Sequence, residues 1–187
     1  IDPSYDPDVL VQRAADQHLR IISIVNTHGH SDHTNGNARA AELTGAPIAA
    51  HPAAPAVPGI PLADGQEVAV GALRLRIVFT PGHCDDHLVL YEPTYGLLVT
   101  GDLLFVGKVG GTTSPHDARA EWDSLQRLLA FVPDESTVWP GHDYGVRPSS
   151  TMGLEKQTNP FLGCPSLEAF LQLKEDWPAF KKQYGLK

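Results

Sequence analysis

Three histidines and an aspartate fall within six residues at Thr27-His28-Gly29-His30-Ser31-Asp32-His33. Neutral imidazole and carboxylate are costly to bury without partners, so a cluster this tight has no use in an apolar core. In an extended segment alternate side chains share a face, which lets His28 and His30 address one metal ion. Asp32 and His33 are adjacent and share a face only if the chain turns, and a turn into a following helix lets both serve a second ion. Three more residues of the right type stand alone, each behind a glycine: His83 in Thr80-Pro81-Gly82-His83, Asp102 in Thr100-Gly101-Asp102 and His142 in Pro140-Gly141-His142. Together His28, His30, Asp32, His33, His83, Asp102 and His142 make two sites of three ligands and one shared carboxylate. No Ser-His or Cys-His nucleophile motif accompanies them. The chemistry expected is therefore hydrolysis at a dinuclear centre, where two zinc ions lower the pKa of bound water to about 7 and a bridging hydroxide is the nucleophile.

The elements that must position these residues follow from pattern. The β-branched run Ile21 to Val25, extended to Asn26, reads as a buried strand that delivers the cluster, and Asn35 to Leu43 reads as a helix closed by Gly45. With the short strand Pro47 to Ala50 this makes a βαβ pattern. Ahead of it, Asp6 and Pro7 start a helix whose apolar side is Leu10, Val11, Ala14, Ala15 and His18. Four prolines make His51 to Pro61 a surface loop without a helix or strand of its own. A hairpin follows around Gly71-Ala72, and its second strand alternates Leu73, Leu75, Ile77 and Phe79 with Arg74, Arg76 and Val78, one face buried and the other largely wet. Strands 87–91 and 97–100, a glycine-rich loop at 107–111 with His116 in the loop after it, a helix at about 118–131, a strand at 137–139 and a tail helix from Ser166 complete the reading. The tail docks through Leu167, Phe170, Leu171, Leu173 and Trp177. Four strand ends thus bring ligands to one edge of a sheet.

The chain of 187 residues suits one domain, residues 1–187, with a short C-terminal helical extension from about 150. It is 42% hydrophobic and 19% charged, as ordinary globular proteins are. Fourteen basic against 22 acidic residues give a net charge of −8, which disfavours nucleic acid or an anionic membrane as partner and favours a small-molecule substrate. Homo-oligomers are compatible with this composition. Two cysteines, Cys84 and Cys164, are too few for a disulfide framework, and no signal segment precedes the first helix, so a cytoplasmic location is expected.

With these motifs the chain resembles the metallo-β-lactamase-fold hydrolases, whose His-x-His-x-Asp-His motif stands here as His28-Gly29-His30-Ser31-Asp32-His33. Gly101-Asp102-Leu103-Leu104-Phe105-Val106-Gly107 and Gly141-His142-Asp143-Tyr144 are similar to the glyoxalase II (hydroxyacylglutathione hydrolase) group, as is Ser150 to Leu162 to its short bacterial forms. The resemblance implies an α/β fold, an αββα sandwich, of whose opening strand pair this chain lacks most. It further implies one ion held by His28, His30 and His83, another by Asp32, His33 and His142, and Asp102 between them. The metals implied are two zinc ions, with iron or manganese as substitutes. Asp102 takes a position where the main zinc β-lactamases carry a cysteine or no bridging carboxylate, which argues against β-lactamase activity. Gly111 replaces a basic residue of the glutathione-handling relatives, leaving Lys108 and Tyr144 as the substrate-binding candidates.

The activity implied is hydrolysis of a thioester or related acyl compound, with Asp32 relaying a proton and Asp102 holding the ions and orienting the hydroxide. The alternative implied by the same fold is a mononuclear iron persulfide dioxygenase using His28, His83 and Asp102. Lactonase, β-lactamase and non-catalytic metal-binding roles stand behind these two. Beside the ligands, Cys84, Asp85, Asp86 and His87 are candidates for orienting a ligand imidazole, and Phe105, Tyr144 and Phe161 for lining a pocket.

Overall fold

Alternation in the run from Leu73 to Phe79 builds the strand on which the larger sheet assembles. In the computed structural model, which describes residues 1–56 and 59–184, β5 (Leu73–Phe79) pairs antiparallel with β4 (Glu67–Val70) across Gly71-Ala72, Val70 opposite Leu73 and Glu67 opposite Arg76. On its other side β6 (Leu88–Glu92) and β7 (Leu97–Gly101) continue antiparallel. Then β10 (Thr137–Pro140) joins β7 in parallel and β11 (Ser150–Thr151) closes the order β11-β10-β7-β6-β5-β4. A smaller parallel sheet holds β1 (Ile24–Val25), β2 (Ile48–Ala50) and β3 (Ile60–Pro61).

The two sheets meet through Val25, Ala49 and Leu62 on one side and Ile77, Leu88 and Leu90 on the other. The outer face of the small sheet packs on α3 (Asn37–Thr44) through Ile24, Ala40 and Ala46. The outer face of the large sheet, with Val78, Val89, Leu98 and Val138, packs on Leu125 and Leu128 of α4 (Pro115–Phe131) and Phe170 of α6 (Leu167–Tyr184). The layers are therefore helix, sheet, sheet, helix, the expected αββα sandwich.

Several expectations need correction. Residues 51–61 do contain a strand: Ile60 and Pro61 pair with Ala49 and Ala50, and Pro61 is tolerated because β3 is the sheet's edge. Val57 and Pro58 of that loop lie outside the described residues. Only Ile24 and Val25 of the 21–26 strand join a ladder. The wet face of β5 ends at Arg76, because Val78 is covered by the α4–α6 layer. His18 lies beyond the end of α1 (Pro7–Asp16) with φ +55, so it is not on the helix face. The helix expected from about 118 starts at Pro115, where Ser114 Oγ accepts the Asp117 N–H at 3.2 Å, and so His116 is in its first turn rather than in a loop.

The glycine-rich loop carries a small hairpin, β8 (Leu104–Phe105) with β9 (Lys108–Val109). The segment after 150 is built into the larger core: β11 extends the sheet, Met152 opens α5 (Met152–Thr158), and Met152, Phe161 and Phe170 are all buried in one cluster. Among the described residues no helix is long and apolar enough to cross a membrane.

Candidate metal centre

The cluster is delivered where β1 ends. The side chains of Asn26 and Asn37 exchange hydrogen bonds of 3.1 and 2.7 Å, tying the strand end to the start of α3. The Leu88 N–H donates to the Thr27 carbonyl at 2.7 Å, tying it to the large sheet. The required turn is the short helix α2 (Ser31–Thr34), which swings Asp32 and His33 away from the segment that presents His28 and His30. Behind His142 a side chain on residue 141 has no room: a Cβ on Gly141 would lie 2.4 Å from Asp102 Oδ1.

All seven predicted ligands converge in two groups. His30 Nδ1 lies 3.0 Å from His28 Nε2 and 3.1 Å from His83 Nε2. His142 Nε2 lies 3.2 Å from both Asp32 Oδ2 and His33 Nε2, and His33 Nε2 is 3.9 Å from Asp32 Oδ2. Asp102 stands between them, with Oδ2 3.7 Å from His83 Nε2 and 3.4 Å from His142 Nε2. Its Oδ1, buried, is 3.3 Å from His33 Nε2 without making a hydrogen bond.

The far side of each ring explains which nitrogen faces inward. His83 Nδ1–H donates to the Gly111 carbonyl at 2.7 Å, and His33 Nδ1–H to Asp2 Oδ2 at 3.0 Å. His28 Nδ1–H donates to Thr27 Oγ1 at 3.0 Å, a hydroxyl that itself donates to Asp2 Oδ2 at 2.7 Å. His30 Nε2 lies 3.2 Å from Cys84 Sγ. With the protons outward, the lone pairs of several imidazoles point at one another, an arrangement that a cation stabilises and that is otherwise repulsive. Nitrogens sharing a tetrahedral zinc ion at about 2.0–2.1 Å are about 3.3 Å apart, close to the separations here. The donor set, the inward lone pairs and the orphaned Asp102 oxygen therefore fit a divalent metal.

Electrostatics agree. Burial, and then neighbouring histidines, push His28 far below the ordinary imidazole range, and burial also lowers His83. Burial opposes charge on His33, but Asp102 and Asp2 outweigh it and raise its pKa to about 10. The carboxylates thus demand positive charge at this point. Burial works against the Asp102 carboxylate, which His33, His142 and His83 nonetheless hold below its usual range.

Sequence reasoning missed Asp2. Its two oxygens take the Thr27 N–H at 2.8 Å, the Thr27 hydroxyl and His33. It adopts φ +48, rare outside glycine and asparagine-like residues, with its N–H on the Val25 carbonyl at 2.8 Å. No spacing signal could have found it, because its partners are 25 and 31 positions away. Of the neighbours of His83, Cys84 meets His30 and Asp86 is buried beside Gly29, whereas Asp85 is exposed. His87 orients no ligand imidazole by a hydrogen bond. It is fully buried, is pushed down to about 3 by that burial, and accepts the Asp102 N–H at 3.1 Å. His51 stays outside the centre, stacked on Phe79 at 4.3 Å.

A cleft of about 860 Å³ opens beside His83 and Asp102, lined by Phe105, Lys108, Tyr144, Phe161 and Trp177 among others. Lys108 Nζ lies 4.0 Å from the Tyr144 ring centre and 5.5 Å from that of Phe105, and the Tyr144 ring stacks on His142 at 4.8 Å. The substrate candidates thus form one wall contiguous with the candidate metal ligands.

Comparison with known proteins agrees with the geometry. The profile of the metallo-beta-lactamase superfamily matches residues 1–142. A hydroxyacylglutathione hydrolase of Anaeromyxobacter dehalogenans (strain 2CP-C) is 38% identical over 148 residues, which are 78% of this chain and 57% of that protein. The chain therefore spans little more than half the length of this curated relative. Among solved structures, ETHE1 from Myxococcus xanthus superposes with a TM-score of 0.86 at 32% identity, covering 94% of this chain and 78% of that one. TTHA1623, in a di-iron-bound form, superposes with a TM-score of 0.71 at 31% identity, covering 86% and 87%. A family profile spanning most of the chain, an αββα sandwich and a convergent histidine and aspartate cluster lead to one conclusion: the chain belongs to the metallo-beta-lactamase superfamily.

Proposed function

We propose that this chain is a dinuclear metallohydrolase acting on a thioester or related acyl compound, in the manner of hydroxyacylglutathione hydrolases. The observation that carries the reading is Asp102, whose carboxylate lies within 3.3 to 3.7 Å of nitrogens from both ligand groups. His28, His30 and His83 would hold one ion and Asp32, His33 and His142 the other, with zinc as the expected metal and iron or manganese as substitutes. When bound, two such ions supply an activated water and an electrophile for the acyl carbonyl.

The protein's own groups do the rest. Asp102 fixes the separation of the two groups, and its backbone N–H is anchored on neutral His87. Asp32 Oδ2, on a side chain 39% exposed, lies 3.2 Å from His142 Nε2 and can hold a proton passed to the leaving group. Lys108 and Tyr144 bind the polar end of the substrate, and Phe105 and Trp177 exclude water from the cleft wall. Lys108 and Lys181 line the same cleft with one exposed carboxylate, Glu175, among them, in a chain of net charge −8, which supports an anionic small molecule as substrate.

A second reading, mononuclear iron persulfide dioxygenase through His28, His83 and Asp102, is supported by the likeness to ETHE1. The test is turnover by metal-replete protein of S-lactoylglutathione, set beside oxygen uptake with glutathione persulfide. Thioester hydrolysis that disappears in a folded His83→Ala protein supports the hydrolase; oxygen uptake without thioester hydrolysis transfers the assignment to the dioxygenase.

A further inference from the structure

Lys174 lies on α6, far in sequence from every ligand, yet its ammonium is inside the protein. Nζ donates to the Gly110 carbonyl at 2.8 Å and pairs with Glu121 of α4, a carboxylate with no solvent exposure. The next carbonyl along the chain, that of Gly111, takes the Nδ1 proton of His83. Gly110 cannot be replaced by a bulkier residue here, since a Cβ would lie 2.1 Å from the Asp102 carbonyl and 3.1 Å from both Glu121 Oε1 and His83 Nδ1. Steric need thus puts a glycine at 110, and a second glycine, at 111 where a Cβ would meet nothing within 4 Å, follows it where the ring of His83 must be held; glycines restrain their own backbone least. An outside anchor supplies the restraint. The Gly110 N–H, in the peptide from residue 109, is held by the Leu103 carbonyl at 3.2 Å, and the Gly110 C=O, in the 110–111 peptide, by Lys174, so the backbone is tied on each side of the Gly110 Cα, one residue before the carbonyl that holds His83. The Glu121 backbone also packs on the residue before His83: a Cβ on Gly82 would lie 2.4 Å from it.

We infer that Lys174 is a positioning residue for the metal centre, acting through Gly110 and Gly111 to hold His83 with Nδ1 protonated and Nε2 free for metal. The inference rests on His83 being a ligand. The C-terminal helix then tunes the metal centre as well as covering the core. Its role in the cleft and its role at His83 are separable, because the second passes through the backbone.

The test uses the imidazole 15N signals of His83 in metal-free protein, identified by their loss in His83→Gln, together with zinc affinity by chelator competition. Lys174→Met alone strands a buried carboxylate, so the informative variant is Lys174→Met/Glu121→Met, with Glu121→Gln as the control that keeps the Lys174 donation. The expected result is wild-type Nδ1–H His83 in Glu121→Gln, and in the double variant a mixture of tautomers with zinc binding about tenfold weaker, the low end for groups that orient a ligand. A folded double variant with wild-type tautomer and affinity overturns the inference. So does a double variant that does not fold, which assigns the pair to the scaffold. Absence of zinc binding in the wild type would instead remove the ligand assignment, while the tautomer comparison, made without metal, still decides what Lys174 does.

Discussion

His33 and His28 both owe the direction of their inward nitrogen to Asp2, the first directly and the second through the Thr27 hydroxyl. Such groups fix tautomer and ring angle, and their loss costs about 10- to 100-fold in metal affinity. Asp2→Ala is expected to weaken metal binding by that factor with the fold intact, as read by chelator competition; wild-type affinity would mean His33 is held by packing alone. Gly141→Ala tests the space behind the ligands. Its Cβ would fall on Asp102 Oδ1 and, at 2.8 Å, on His33 Cε1, so elemental analysis of the folded variant is expected to find metal lost. At this scale the seven candidate ligands were legible because their chemistry has no other use in those positions, and the fold brings them together. Asp2 was not legible, since one acidic residue after Ile1 carries no pattern and its meaning comes from partners that only the fold brings near.

At the scale of elements, strand ends and one short helix do the positioning. The alternation of β5 and the β-branched or leucine-rich runs of β6 and β7 were readable because burial imposes a period on the sequence. Strands of two residues such as β3 and β11 have too few positions to show a period, and neighbours impose their ladders; β1 was readable only because it lies in a longer β-branched run. The buried pair between α4 and α6 escaped notice for a related reason: Glu121 and Lys174 look like ordinary helix-surface charges until two helices pack. Burial raises the Glu121 pKa to about 7, against the pull of Lys174. Because the folded value lies above the ordinary glutamate value of 4.5, folded protein binds the extra proton between these values, and the contribution of Glu121 to stability falls as pH rises from about 4.5 to 7. Glu121→Gln is expected to remove that downward component from a plot of unfolding free energy against pH. An unchanged slope would show that Lys174 keeps Glu121 ionised throughout.

For the whole molecule, two sheets and their outer helices make a scaffold whose edge collects the candidate ligands from four separate stretches of chain. The C-terminal helix belongs to that scaffold: Phe170 is fully buried among Val78, Leu125, Leu128 and Phe161. Phe170→Ala is expected to cost about 3–5 kcal/mol in denaturant unfolding, and a loss below about 1 kcal/mol would mean α6 is only draped on the core. The order of layers was readable from the resemblance, whereas the integration of the segment after 150 emerged from packing. The central claim, that the two ligand groups hold two ions sharing Asp102, is tested most directly by elemental analysis of purified protein beside Asp102→Asn. Two divalent ions per chain in the wild type, with loss of at least one in the variant, is the result this geometry predicts; a single ion in the wild type, unchanged by the substitution, would contradict it.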